Sequence, residues 1–170
     1  MEKRLKIKQA FKAQGSYVIK TWDADKVKSY QDTLKAQPLF TSKEIKNLIV
    51  TGTGYGVDIL TRALGGDTTY QVEIDSAKIG TGTNTPAASD TDLQTAVLSG
   101  IAVASVSYPG NGQVIISFFI PNADLANNTY TEFGIFANSR LFARSLITPN
   151  FTKGSNQNTT VDYTITLTAS

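Results

Sequence analysis

The chain has 170 residues, of which 41% are hydrophobic and 18% charged, enough to form one domain with a buried core. The absence of cysteine and histidine excludes disulfides, thiolate metal sites and enzymes of the Ser-His-Asp or Cys-His type. The net charge of +2 is divided unevenly, because residues 1–46 hold 11 Lys and Arg against 5 Asp and Glu, whereas residues 47–170 hold 5 against 9.

Residues 1–45 are predicted to be a basic N-terminal arm. A basic segment ahead of an acidic body favours an arm that lies on an acidic neighbour, either nucleic acid or another copy of the body. Nucleic acid would require a stacking platform beside the cations, and few aromatic residues are near, so we expect docking on protein. The candidate contact residues are Arg4, Lys6, Lys8, Phe11 and Trp22.

Within this arm, residues 17–22 are rich in β-forming side chains and predict a strand. Residues 1–16 are expected to be a loosely ordered terminus that docks on a neighbour. Over residues 25–37 the apolar spacing permits either a short helix or an extended arm. Trp22 fits a core position or an anchor between subunits, and both readings stay open.

A glycine-rich run at residues 51–56 follows residues 44–50. Its spacing matches neither common phosphate-binding pattern, so we expect a strand or turn that feeds a helix. That helix is predicted over residues 55–64, ahead of a Gly65-Gly66 stop. Its apolar stripe is formed by Val57, Leu60 and Leu64, and Ile59 and Ala63 lie off this stripe, which leaves open that a second side of the helix is also covered.

A strand is predicted over residues 69–78, and the stretch at residues 79–93, which leads from it to the later strands, is expected to organise the fold. Gly80 and Gly82 are assigned to a turn that needs positive φ, and Pro86 to an extended loop. Residues 89–92 predict a helix N-terminus, with Asp90 and its neighbours near the positive end of the helix dipole. A calcium site that uses Asp75, Asp90 and Asp92 is the less economical reading, and we expect no metal and no cofactor.

From Leu98 onward the pattern is β, and turns separate the predicted strands. The predicted strands are residues 101–108, 113–120, 130–137, 141–147 and 159–168, with turns at 109–112 and 138–139 and a long loop at 149–158. Regular strand spacing is typical of an antiparallel β-sandwich of the jelly-roll or immunoglobulin-like kind. We therefore predict a mainly β domain over residues 46–170 with one or two short helices.

Several segments in this order resemble a family of tailed-bacteriophage virion proteins. They are Lys46-Asn-Leu-Ile-Val with its glycine-rich step, Lys78-Ile-Gly-Thr-Gly-Thr-Asn-Thr-Pro, Ser89-Asp-Thr-Asp-Leu, Thr131-Glu-Phe-Gly-Ile-Phe, Leu141-Phe-Ala-Arg and the strand at 160–168. The resemblance covers about residues 46–168. It implies a non-enzymatic module of tail fibres, baseplates or head decorations, located in the virion.

The resemblance also draws attention to Glu132, a charge among β-forming residues. Arg144 lies on the predicted neighbouring strand and is its candidate partner. A solvent-facing cross-strand pair is the simpler expectation, and a buried pair between subunits is the alternative.

Three classes of function are compared. The first is a virion structural protein that assembles with itself, as a trimer, and with capsid or tail subunits; its placement in the tail or as a capsid decoration is left open. The second is a module that binds host-surface glycans through Tyr108, Tyr130 or Phe151. The third is a glycosidase, for which Asp124 and Glu132 are candidates by residue type alone. We expect no nucleic acid, no signal peptide and no membrane span, since no stretch approaches ~20 apolar residues.

Overall fold

The computed structural model describes residues 11–110 and 112–169. The protein is mainly β, with 50% strand and 8% helix, which confirms that part of the prediction. The strands are β1 (Phe11–Asp23), β2 (Phe40–Thr41), β3 (Ile45–Lys46), β4 (Leu48–Ile49), β5 (Ser76–Gly80), β6 (Ala96–Ser107), β7 (Gln113–Ile120), β8 (Thr129–Ala137), β9 (Arg140–Thr152) and β10 (Gln157–Ala169), and the helices are α1 (Tyr30–Thr33) and α2 (Gly56–Leu64). In these residues no helix is both long and apolar enough to cross a membrane.

The strands share one continuous antiparallel sheet, in the order β2-β1-β10-β7-β6-β5-β8-β9-β4, with β3 also paired to β1. Strand β6 joins the two halves of this sheet, because its first part pairs with β5 and its last part with β7. Irregularities interrupt both pairings, and a bulged strand bends more easily. The sheet curls into a half-barrel, and the predicted sandwich is not confirmed.

The core lies between the two halves of the curled sheet. The ring of Phe133 in one half lies 5.1 Å from that of Tyr17 and 6.1 Å from that of Phe118 in the other half. The hydroxyls of Tyr17 and Ser145 share a hydrogen bond of 2.7 Å, which satisfies both groups inside the core. Alternation along β10 places three apolar residues in the core: Val161, Tyr163 and Ile165.

Strand β1 belongs to the sheet. It pairs with β10 over all 13 of its residues, and its central Ile19 is fully buried. Backbone groups of β10 that would otherwise lack partners are satisfied by β1, which explains why this basic segment folds with the rest. The predicted strand at 17–22 is confirmed, but an N-terminal arm is not confirmed over residues 11–45. Residues 1–10 lie outside the described part of the chain.

A short bridge at residues 45–49 brings the two ends of the sheet together. Strand β3 pairs with β1 near one end and β4 pairs with β9 at the other, with only Asn47 between them. The Asn47 N–H donates to the carbonyl of Gly15 at 3.1 Å. Before this point, residues 11–14 of β1 pair with β10 on one side and with no described strand on the other. As far as the described residues extend, the curled sheet is therefore open beside the start of β1.

Helix α2 confirms the predicted element, and its most deeply buried residue lies off the predicted stripe, although Leu60 of the stripe also packs against the core. Ile59, which lies off the predicted stripe, is fully buried, whereas Leu64 is 92% exposed. The glycine-rich run serves as the predicted turn: Gly56 has a φ of +46° and lies against the Val50 carbonyl, where no side chain fits. Helix α2 packs on β9, whereas Val57 and Leu64 of the stripe stay exposed.

Three local predictions are wrong. Residues 69–75 form no strand, no helix begins at residues 89–92, and the predicted loop at 149–158 is shorter because β9 and β10 extend into it. The last error has a clear cause, since the end of β9 pairs with the start of β8 and buries Phe151. Such pairing depends on a strand about twenty residues away and leaves little trace in the local pattern.

Candidate functional site

The carboxylate of Glu132 lies at the centre of the candidate site. Glu132 is on β8 and is 0% exposed. Its Oε1 accepts the N–H groups of Gly82 at 3.0 Å and Thr95 at 2.6 Å, and its Oε2 accepts that of Gln94 at 3.0 Å. These bonds replace the hydration that the carboxylate loses on burial. Glu132 thereby holds both ends of the β5–β6 loop, residues 81–95.

Two glycines provide the space for this carboxylate. Gly80 is opposite Glu132 in the β5–β8 pairing, and a Cβ on it would lie 2.8 Å from Oε1. A Cβ on Gly82 would lie 2.7 Å from Cδ of Glu132 and 2.6 Å from Cβ of Gln94. Neither glycine is among the described residues with positive φ, so the assignment of both to a positive-φ turn is wrong. Glycine is needed here for close approach.

Arg144 on β9 binds the same carboxylate. Its side chain is 4% exposed, with Nη2 3.4 Å from Oε2 of Glu132 and Nη1 3.1 Å from Oδ2 of Asp90. Its Nη2 also donates to the carbonyl of Asn84 at 2.9 Å. Arg144 is opposite Gly134, two residues along β8 from Glu132, so the pair is a diagonal one on one sheet face. The predicted pair therefore forms, but the expectation that it faces solvent is wrong.

Asp90 holds the middle of the β5–β6 loop. The oxygen that meets Arg144 also accepts the N–H of Ala87 at 2.8 Å, which closes a turn directly after Pro86. Asp90 therefore caps a turn, and its predicted place at a helix N-terminus is wrong. We call Glu132, Arg144 and Asp90 the loop clasp. The structure thus brings together six predicted site residues, namely this clasp with Gly80, Gly82 and Pro86.

The carboxylates considered for calcium bind donors from the protein itself. Asp90 is part of the loop clasp, Asp92 lies 2.8 Å from Nζ of Lys78, and Asp75 accepts the N–H of Asn138 at 2.9 Å. Over residues 11–110 and 112–169, no group of three or more acidic, His or Cys side chains could hold a metal ion. These carboxylates contribute to loop structure.

The predicted arm residues lie apart from the clasp. Trp22 is 4% exposed, and its indole N–H donates to the Thr160 hydroxyl at 3.0 Å, which places it in the interior of its own chain. Phe11 is 79% exposed at the first described position of β1. The remaining candidates, Arg4, Lys6 and Lys8, lie outside the described residues.

An open groove lies where the sheet fails to close, with a volume of about 1160 Å³. We call it the α2 groove. Its walls are residues 11–16 of β1, residues 46–49, the apolar stripe of α2, Val72 and Leu167. The helical spacing of apolar residues in the sequence predicted the stripe. The groove itself exists because, among the described residues, the sheet does not close beside α2, and no local sequence pattern predicts that. Phe11 and Leu64 are among its most exposed residues.

Lys153 is a buried charge that sequence reasoning missed. Its Nζ donates to Oδ1 of Asn122 at 2.8 Å, to Oδ1 of Asn127 at 3.2 Å and to the Gly154 carbonyl at 3.2 Å, and the residue is 1% exposed. Burial lowers the pKa of this amine. The three oxygens match the three N–H donors of an ammonium group. The sequence signal that could have indicated this site is a lysine in a pair of loops that are rich in Asn.

The residues considered for sugar binding and for glycoside hydrolysis are mostly inaccessible. Tyr130 is fully buried and Phe151 is 4% exposed, whereas Tyr108 is 79% exposed. Glu132, one of the two hydrolase candidates, is enclosed by the β5–β6 loop and Arg144. Of these candidates, Tyr108 alone presents an aromatic ring to solvent.

Comparisons with protein-family models, curated proteins and solved structures give no match to this chain. The resemblance of its ordered segments to phage virion proteins therefore stays a prediction. The geometry of the loop clasp and of the α2 groove is the remaining basis for inferring what the protein does.

Proposed function

We propose that the chain is a structural protein of a tailed-bacteriophage virion that assembles through protein–protein contacts as a tail, baseplate or fibre-attachment component. The observation that supports assembly through protein contacts is the apolar surface exposed around the α2 groove, and the virion part rests on the resemblance of the ordered segments. Leu64 is 92% exposed, Phe11 79% and Leu167 45%. Contiguous apolar surface on a soluble protein commonly marks a site for another protein.

A second surface supports an assembly role. Residues 93–123 contain no charged residue, and they form most of the β6–β7 hairpin. Val97 is 50%, Val106 46% and Tyr108 79% exposed along it. Depletion of charge together with exposed aromatic and aliphatic side chains is typical of the centre of a protein interface.

The loop clasp supports the same role in a different way. Its buried charges bind backbone groups of the β5–β6 loop and each other, which fits a structural use of these ionisable residues. A loop held in one conformation loses little conformational entropy when a partner binds it. A firmly held surface loop is a suitable contact for an assembled particle.

Imaging and mass spectrometry of purified particles of the encoding phage test the proposal. We expect the chain to be present in stoichiometric amounts, with side-chain density in a closed ring of copies at the tail or baseplate. Density on the capsid surface would instead assign the capsid-decoration alternative. Absence of the chain from purified particles would contradict a virion role altogether.

A further inference from the structure

We propose that the α2 groove binds residues 3–9 of a second copy of this chain, added as an extended strand to the open edge of β1. The inference rests on the self-assembly part of the proposed function, but not on the place of the protein in a particle. It identifies both the surface and the segment through which two copies would join.

The groove has the form of a missing strand. Six consecutive residues of β1, from 11 to 16, line it. Neighbouring side chains of a strand point to opposite faces of the sheet. Six consecutive residues therefore line the same groove only when the edge of the strand, and not one of its faces, borders that groove. Residues 11–14 pair with no described strand on that edge, so within the described part of the chain their backbone groups lack a ladder partner there. Edges of this kind accept an extended peptide by strand addition.

The floor of the groove suits an apolar face. Leu60 and Leu64 of α2, Leu48 and Ile49 of the bridge, and Leu167 of β10 all contribute to its lining. Leu64 is 92% exposed, although the sequence of α2 places it on the apolar stripe. An occupant with alternating apolar side chains would cover this floor and leave its other face to solvent.

Residues 3–9, Lys-Arg-Leu-Lys-Ile-Lys-Gln, have the required pattern. Leu5 and Ile7 alternate with the three cations Arg4, Lys6 and Lys8, as in a strand with one buried face. They precede Phe11, which lines the groove. Ten extended residues span roughly 33 Å, far enough to reach a neighbouring molecule.

The lack of turn-forming residues near the segment favours binding to the groove of a second copy over binding to the groove of the same chain. To pair with residues 11–14 of its own β1, the segment would have to reverse direction within a few residues. Residues 1–10 contain no Gly, Pro, Asn, Asp or Ser, the residues that make tight turns. The segment therefore lacks a local means of folding back beside its own strand.

Charge complementarity points to the same occupant. Glu44 lines the groove, and Glu73 follows the groove residue Val72. Both glutamates are exposed, and none of the ion pairs between described residues uses either of them. The cationic face of the incoming segment would meet these carboxylates at the rim.

Disulfide trapping tests the proposal cleanly, because the natural chain has no cysteine. Chains with Ile7→Cys and chains with Leu64→Cys are mixed under mild oxidation, and the products are mapped by peptide mass spectrometry. We expect a covalent dimer joined between positions 7 and 64. A mixture of Ile7→Cys with Leu39→Cys is the control, since Leu39 is 59% exposed but does not line the groove.

Two results would overturn the inference. The first is a yield of the disulfide between positions 7 and 64 that is no higher than the yield between positions 7 and 39. The second is an intramolecular disulfide: the double variant I7C/L64C, oxidised at high dilution, would stay monomeric with both thiols consumed. The segment would then occupy the groove of its own chain. Particle imaging reports on the virion role separately, so a chain found in particles that fails to trap refutes this inference alone.

A second measurement uses no cysteine. By sedimentation analysis of the full chain, Leu64→Gln should weaken self-association about tenfold or more, while Leu39→Gln should leave it unchanged. Both side chains are exposed, so we expect equal thermal stability of the two variants. Equal self-association of L64Q and L39Q, or a wild-type chain that stays monomeric throughout, would also overturn the inference.

Discussion

Glu132 and Arg144 form an ion pair that is buried inside one chain, with 3.4 Å between Oε2 and Nη2. Each partner makes closer contacts with the β5–β6 loop than with the other. Glu132 accepts loop N–H groups at 2.6–3.0 Å, and Arg144 reaches Asp90 at 3.1 Å and the Asn84 carbonyl at 2.9 Å. The pair therefore serves mainly to hold a loop on the sheet.

Glu132→Gln should destabilise the protein by about 3–5 kcal/mol, because it breaks a buried ion pair, leaves Arg144 with the carboxylate of Asp90 alone, and removes the charge that accepts three backbone N–H groups. An amide also offers one oxygen to three N–H groups, so at least one of them meets an NH₂ group. Urea unfolding measures the change. Asp92→Asn is the matched control: it is also a carboxylate-to-amide change at this loop, but its pair with Lys78 is partly exposed, so the change should cost about 0–1 kcal/mol. Equal losses for the two variants would contradict the role assigned to Glu132.

Arg144→Met should cost less than Glu132→Gln, about 1–3 kcal/mol, because Glu132 keeps its three backbone donors. The two variants should also differ in amide hydrogen exchange. Loss of Arg144 should speed exchange in residues 84–90 and spare the Gly82 and Thr95 amides, whereas loss of the Glu132 charge should expose those two amides. The same exchange pattern in both variants would show that the loop opens as one unit.

Gly82→Ala should destabilise the protein by about 1–3 kcal/mol, because the added methyl group overlaps Glu132 and Gln94. Thermal or urea unfolding provides the measurement. Gly110→Ala is the control, since the nearest atom to its added Cβ lies 3.8 Å away, and it should change stability by no more than about 0.5 kcal/mol. A neutral Gly82 variant would mean that the carboxylate can shift.

Lys153→Met should cost about 1–3 kcal/mol, because the oxygens of Asn127 and Gly154 lose a buried donor. Its effect should appear as faster amide exchange in the loops at residues 121–128 and 153–156. Lys20→Met, which removes the partly exposed pair with Asp162, is a suitable comparison and should cost about 0–1 kcal/mol. Comparable losses would mean that the Lys153 contacts contribute no more than a surface pair.

The segment after α2 should respond to acid. Hydrogen bonds from Thr69 and from Arg62 lower the pKa of Asp67 from 3.8 to about 2. A depressed carboxyl pKa contributes stability above the unfolded-state value, and that contribution is lost as the pH falls from about 4 to about 2. The stability difference between wild type and Asp67→Asn, followed by urea unfolding, should therefore shrink over this range. A constant difference would contradict the assigned pKa.

Local sequence patterns were sufficient for the later strands and for α2. The apolar run at residues 113–120 identified β7, and alternation along β10 identified that strand and its buried apolar residues Val161, Tyr163 and Ile165, since a period of two reports which side of a strand is apolar. The turn at Asn138 and Ser139 was also correctly predicted, and both residues have positive φ, at 46° and 66°. These features depend on residues close in the chain, so a single sequence contains enough information to predict them.

Long-range packing decided the rest. A pattern shows that a face is apolar but not what covers it, so the α2 stripe was found while its exposure to an open groove was not. Glu132 and Arg144 were correctly paired, yet their burial depends on a loop whose contacts with Glu132 lie 37 to 50 residues away. Strand β1 joined the sheet because β10, at the far end of the chain, needed a partner. Burial and strand pairing depend on which distant segments meet, and local propensity does not contain that information.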